Sequence, residues 1–143
     1  MSSALLSLAE LSAEERELVA HARAAAERAH CRYSGYAVGA AIVGETGRIF
    51  SGCNVENASY GATMCAERSA IFALVSAGER LITHVCVYAP GEPLAMPCGM
   101  CRQVIAEFCR DAPVLVAGPS GALRRSFADL LPEAFRLAVK GEP

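Results

Sequence analysis

The stretch TMCAE sets Cys65 two residues before Glu67, and further along MPCGMC sets Cys98 and Cys101 three apart behind Pro97. Residues three apart on a helix share one face, and a proline suits a helix start. A thiolate at a helix N-terminus gains from the positive end of the dipole, which lowers its pKa and prepares it to bind metal. Cys65 also falls at an expected helix start. Two helix starts facing each other at one end of a sheet would gather three thiolates around one point. Zinc takes three protein ligands and keeps its fourth position open when it is catalytic, whereas a structural site wants four. On an ideal helix, positions two apart point about 200° away from each other. Cys65 and Glu67 therefore converge only if Cys65 is still at the cap, outside regular helix geometry. If they converge, a carboxylate stands beside a metal-activated water, the equipment for hydrolytic attack on an electrophilic carbon.

Plainer readings exist. A lone C-x-x-C also serves as a redox pair or as half of a structural zinc site, but the redox motif lacks a distant cysteine–glutamate pair. A structural site would need a fourth ligand, and His21, His30 and His84 are scattered rather than at ligand spacing. The chain has seven cysteines, an odd number, so a complete disulfide framework is impossible. Cys53, Cys86 and Cys109 sit in or beside apolar stretches and read as small buried hydrophobes, and Cys31 as the residue that closes the first helix.

The elements that must position these residues fit a single domain over residues 1–143, with a core from about 11 to 135 and a tail over 136–143. Of the 143 residues, 53% are hydrophobic and 20% charged, a composition that can bury a core. A net charge of −2 with no basic run argues against a nucleic-acid partner. No stretch is long and apolar enough for a membrane span. The N-terminal MSSALLSLAELSAEERE lacks the basic start and cleavage site of a signal peptide, so a cytoplasmic location is expected.

Ser12 and Glu15 form a capping box before a helix with an alanine-rich stripe of Leu18, Ala22, Ala25, Ala26 and Ala29, spaced to lie close against something flat. VGAAIVG and GRIFSGCNV, joined by GETG, read as a hairpin. A second helix begins near Cys65 and stops at Gly78. LITHVCVYA and PVLVAG read as buried strands, with a third helix from about Cys98 between them. ALRRSF reads as an edge strand and ADLLPEAF as a short final helix. The order α-β-β-α-β-α-β-β-α implies a three-layer α/β/α sandwich around one mixed five-stranded sheet.

CAE followed by PCGMC matches the signature of zinc deaminases in its three-cysteine form. With GCNVENASYG, CAERSAI, PCGMCRQVIAEF and the upstream YSGYAVGAA, the chain resembles the small free-nucleoside cytidine deaminases from about Leu11 to Phe135. The resemblance implies Zn2+ on Cys65, Cys98 and Cys101, with Glu67 moving protons. Asn54 and Glu56 would bind the ribose, chiefly its 3′-hydroxyl. Backbone around Ala58 and Ala66 would touch substrate, and Tyr36 would stand beside the pyrimidine. Tyr60 and Phe135 would reach into a neighbouring subunit's pocket in a homotetramer. Arg68 would hydrogen-bond the thiolates. Three thiolates leave zinc with a net charge of −1, and a nearby cation draws charge off the sulfurs and restores Lewis acidity.

The implied reaction is hydrolytic deamination of cytidine and deoxycytidine to uridine and deoxyuridine with release of ammonia, a pyrimidine-salvage activity. The sequence departs from the family pattern at Tyr36, usually phenylalanine, at Ala37, at Met96, usually a small hydroxyl residue, and at Met100, commonly alanine. These departures bear on the substrate more than on the reaction. The alternatives are a deaminase of a modified cytosine nucleoside or of a blasticidin-type antibiotic on the same fold, and a non-enzymatic zinc-stabilised module.

Overall fold

The computed structural model describes residues 4–141. Helix α1 (Ala13–Ala26) opens with the expected capping box: the Ser12 side chain accepts from the Glu15 amide, and the Glu15 carboxylate accepts from the Ser12 amide. Strands β1 (Gly39–Gly44) and β2 (Ile49–Cys53) form the hairpin. Then come α2 (Ala66–Ser76), β3 (Ile82–Tyr88), α3 (Gly99–Phe108), β4 (Pro113–Gly118), β5 (Gly121–Ser126) and the short α4 (Phe127–Leu130). The five strands make one sheet in the order β2-β1-β3-β4-β5. Only β3 and β4 run parallel, so the sheet is mixed and ALRRSF is an edge strand as expected.

Alternation along the central strands divides the core in two. Ala40, Ile42, Val85, Val87, Val114 and Val116 face one way and pack with Ile71 and Leu74 of α2 and Ile105 of α3. Ala41, Cys86, Tyr88 and Leu115 face the other way, against Leu18, Val19, Ala22 and Ala26 of α1. One apolar layer on each face gives three layers. Ile71 and Leu74 are fully buried, and side chains of this kind contribute about 1.5–3 kcal/mol each. They fix α2, and with it the helix start at Cys65. Glu15 adds a second tie, accepting from Arg124 of β5 at 2.5 and 2.7 Å. The Arg124 guanidinium, its chief partner, holds this carboxyl well below the usual range, at about 2.

The alanine stripe and two glycines bring helix and sheet backbones into close approach. A Cβ on Gly39 would meet the carbonyl of Ala22 in α1. On Gly52 it would press on the Ala70 amide nitrogen and stand 2.6 Å from the Ala66 carbonyl oxygen, against the first turns of α2. Glycine is required at both positions because backbone fills the space at Gly39, and backbone together with the Ser69 Cβ fills it at Gly52. Gly52→Ala is expected to lower stability by about 1–3 kcal/mol through overpacking. Because the displaced turns carry Glu67, zinc content and turnover should fall with it. A denaturant melt and a zinc assay check this, and a variant equal to wild type in both would contradict it.

α1 ends earlier than the sequence suggests. It stops at Ala26, so Cys31 lies beyond the helix and is only partly buried, as is Cys53. The reason is long-range. His30 donates its amide to the Asn54 carbonyl and accepts from the Glu56 amide, forming a parallel bridge with Val55. That pairing pulls the chain out of helical geometry and sets Asn54 and Glu56 beside the 31–38 loop. Cys86 and Cys109 are buried, as expected.

Candidate active site

Cys65 is the N-cap of α2 and Cys98 the N-cap of α3, both with extended backbone angles (φ −74°, ψ 155° and φ −67°, ψ 168°). Neither side chain caps its helix, so both sulfurs are free to turn elsewhere. Cys101, in the first turn of α3, is fully buried. The three sulfur atoms lie within 4.8 Å of one another, with Cys65 and Cys98 3.8 Å apart. The two helix starts thus meet at one point, as the spacing suggests.

The donor set fits zinc. Three soft sulfur ligands converge, two of them at helix N-termini whose positive ends favour the ionised form. Among the described residues no fourth histidine, cysteine or carboxylate belongs to the cluster, which leaves a coordination position open. Arg68 Nη2 donates to Cys65 Sγ at 3.2 Å. Hydrogen bonds from the Cys101 thiol and then from Arg68 push the Cys65 thiol well below its ordinary pKa. Cys101 is pushed up, chiefly by its bond to that thiolate and by burial. Arg68 is mostly buried, and its Nε has no hydrogen-bond partner among the described residues. The guanidinium is therefore a cation held against the sulfurs rather than a solvated surface charge.

Glu67, the second residue of α2, is 4% exposed. Because Cys65 sits at the cap, both side chains reach one cavity of about 220 Å³. Burial pushes the Glu67 carboxyl up to about 6, and the negative Cys65 sulfur pushes it the same way. A carboxyl tuned toward neutrality both accepts and returns a proton readily at physiological pH.

Tyr36, Asn54 and Ala66 line the same cavity with Cys98 and Met96. Val38, Met64 and Val87 also line it, and sequence reasoning missed all three. Val87 had a usable signal, since it stands near the C-terminal end of a strand at one sheet end, where α/β proteins place their ligands. Glu56 and Tyr60 line an adjoining cleft of about 390 Å³ that meets the cavity at Thr63. Ala58 lies on the exposed loop and lines neither space. Phe135 does not line this cavity either. Its carbonyl accepts from Gln103 Nε2, and its ring is 68% exposed.

A clamp on α3 positions Cys98. Arg102 donates through Nε to the Pro97 carbonyl and through Nη1 to the Leu130 carbonyl, both at 2.8 Å. Arg136 donates to the Ala106 and Cys109 carbonyls at the other end of the helix. The segment after β5 is thus strapped along the helix that carries two of the thiols.

Residues 12–117 match the family model described as the cytidine and deoxycytidylate deaminase zinc-binding region. A cytidine deaminase of Sporosarcina psychrophila is 46% identical over 121 residues, covering 83% of this chain and 89% of that protein. A cytidine deaminase of Mycobacterium tuberculosis is 47% identical over 118 residues, covering 82% and 86%. The crystal structure of cytidine deaminase from Burkholderia pseudomallei superposes with a TM-score of 0.80 at 40% identity, covering 87% of this chain and all of that one. A blasticidin-S deaminase of Bacillus cereus is more distant, 34% identical over 103 residues and covering 66% and 74%.

Proposed function

The chain belongs to the cytidine and deoxycytidylate deaminase family, and from that membership and its site we infer that it catalyses zinc-dependent hydrolytic deamination of cytidine and deoxycytidine, releasing ammonia. The observation that carries the reading is the placement of buried Glu67 in the same cavity as Cys65 and Cys98. A structural zinc module has no use for a buried carboxylate beside an incomplete ligand set.

Cys65, Cys98 and Cys101 would hold the zinc, which would supply the Lewis acidity that makes water nucleophilic at neutral pH. Glu67 accepts a proton from the attacking water and delivers it to N3 of the ring as the water oxygen bonds to C4. The same carboxylate then moves the remaining proton of that oxygen to the amino group; the C4–N bond breaks, ammonia leaves, and a carbonyl forms at C4. Arg68 withdraws charge from the Cys65 sulfur. The cavity walls of Val38 and Val87 exclude bulk water, and Tyr36 stands where the pyrimidine enters. Asn54 and Glu56 serve the ribose.

A homotetramer with sites shared between subunits belongs to the same proposal. Tyr60 is 81% and Phe135 68% exposed in the single chain, and exposed aromatic side chains of this size suit a subunit contact. A sedimentation mass of one chain rather than four would refute it. The reading also includes a cytoplasmic location; among the described residues no helix is long and apolar enough to cross a membrane.

The remaining question is the ring's substituent. Asn54 and Glu56 favour a ribosyl group, whereas the departures at Tyr36 and Met100 keep the blasticidin-type alternative open. Steady-state kcat/KM for cytidine, free cytosine and blasticidin S decides between them. Cytidine is expected to lead by at least about a hundredfold, because a site built to bond a hydroxyl rejects compounds that lack it. A lead for blasticidin S would overturn the assignment of substrate.

A further inference from the structure

Glu56 is already engaged. Its Oε1 accepts the backbone N–H groups of Tyr33 at 3.0 Å and Ser34 at 3.1 Å, and its Oε2 accepts the Ser34 hydroxyl at 2.5 Å. The Ser34 Oγ in turn accepts the Tyr36 amide at 3.0 Å. Asn54 holds the same loop from the other side, donating to the Tyr36 carbonyl at 2.8 Å and accepting the Val38 amide at 2.9 Å. The loop that presents Tyr36 to the cavity is therefore strung between the two side chains assigned to the ribose.

The direction of the central bond is fixed. A serine hydroxyl has one proton, and an N–H can only donate to it. With the Tyr36 amide on its lone pair, Ser34 sends its proton to Glu56. An ionised carboxylate offers about four acceptor positions and no donor. Three are filled by the loop, which leaves about one, and only for a group that donates.

Building on the proposed deaminase function, we propose that Ser34 is a positioning residue for substrate: its hydroxyl aims the Glu56 carboxylate so that its remaining acceptor position meets one ribose hydroxyl, and couples that contact to Tyr36 at the base. The residue lies in the YSGYA stretch, and an ordinary turn serine would affect only the loop's stability. The two roles separate in kinetics. Loss of an aimed acceptor weakens binding of substrates that carry the hydroxyl and leaves the chemical step alone.

The test compares wild type, Ser34→Ala and Ser34→Thr, zinc-loaded, on cytidine and on 3′-deoxycytidine, with a thermal melt of each. Ser34→Ala is expected to raise KM for cytidine about tenfold, the scale of one hydrogen bond to a charged group, with kcat within about twofold. Its preference for cytidine over 3′-deoxycytidine should shrink by the same factor, and Ser34→Thr, which keeps the hydroxyl, should restore both. An unchanged KM and preference in Ser34→Ala, whatever its melting temperature, would overturn the proposal. So would an equal loss on both nucleosides. If Ser34→Ala does not fold, Ser34→Cys, with a weaker donor, carries the same comparison and the same expected direction. A folded wild type inactive on cytidine would remove the function and this inference together, whereas an active wild type with an indifferent Ser34 would remove the inference alone.

Discussion

Glu67→Ala is expected to yield a folded protein that still takes up one zinc per chain and has lost about four orders of magnitude in kcat on cytidine. The carboxylate is asked to handle both proton transfers, and among the described residues no second carboxylate and no imidazole lines the cavity. The fold should not suffer. Glu67 is buried, and burial lifts its carboxyl to about 6, so its charged form is held in an unfavourable place. Removing it relieves a desolvation cost, the usual exchange of stability for activity at a working site. Glu67→Gln is the sharper partner variant, since it keeps the volume and loses only the exchangeable proton. Steady-state rates beside metal counts check the prediction. Substantial turnover in either variant would move the proton shuttle elsewhere, and loss of zinc would make Glu67 a ligand.

Cys101→Ala is expected to fail differently. Its sulfur is fully buried at the meeting point of α2 and α3, so the substitution removes one of three ligands and leaves a small cavity. Zinc affinity should fall by well over a hundredfold, more than the loss of an outer partner causes. The chain then also loses the stabilisation that binding supplies, about 4 kcal/mol when free zinc exceeds Kd a thousandfold. Melts with and without zinc, beside a colorimetric metal count, give both numbers. Cys109→Ala is the control: that thiol is buried but outside the cluster, and its variant should keep zinc. Retention of full zinc by Cys101→Ala would disprove the ligand set.

Much of this arrangement is legible in the sequence because local signals and tertiary needs agree. Ser12 and Glu15 announce the start of α1, and Gly78, at φ 94°, announces the end of α2. The two-residue offset between Cys65 and Glu67 is informative because helix geometry forbids their convergence unless Cys65 is the cap, which it is. What the sequence hides is long-range. Nothing near Cys31 says that α1 must stop at Ala26, since the cause is a backbone bridge from His30 to Val55. Nothing in NVEN says that Glu56 already holds Ser34 and the Tyr33 amide. The Arg102 clamp is likewise invisible, because its acceptors are the carbonyls of Pro97 and Leu130, and any residue could supply them. Sequence pattern reports side-chain chemistry, whereas these contacts are made by backbone brought together by the fold.

The most direct test is ammonia release from cytidine by the zinc-loaded wild type, measured beside uridine formation. One ammonia for each uridine, abolished by chelation and restored by zinc, is the predicted result. A folded protein with one zinc per chain that releases no ammonia from cytidine or deoxycytidine would contradict the assigned function.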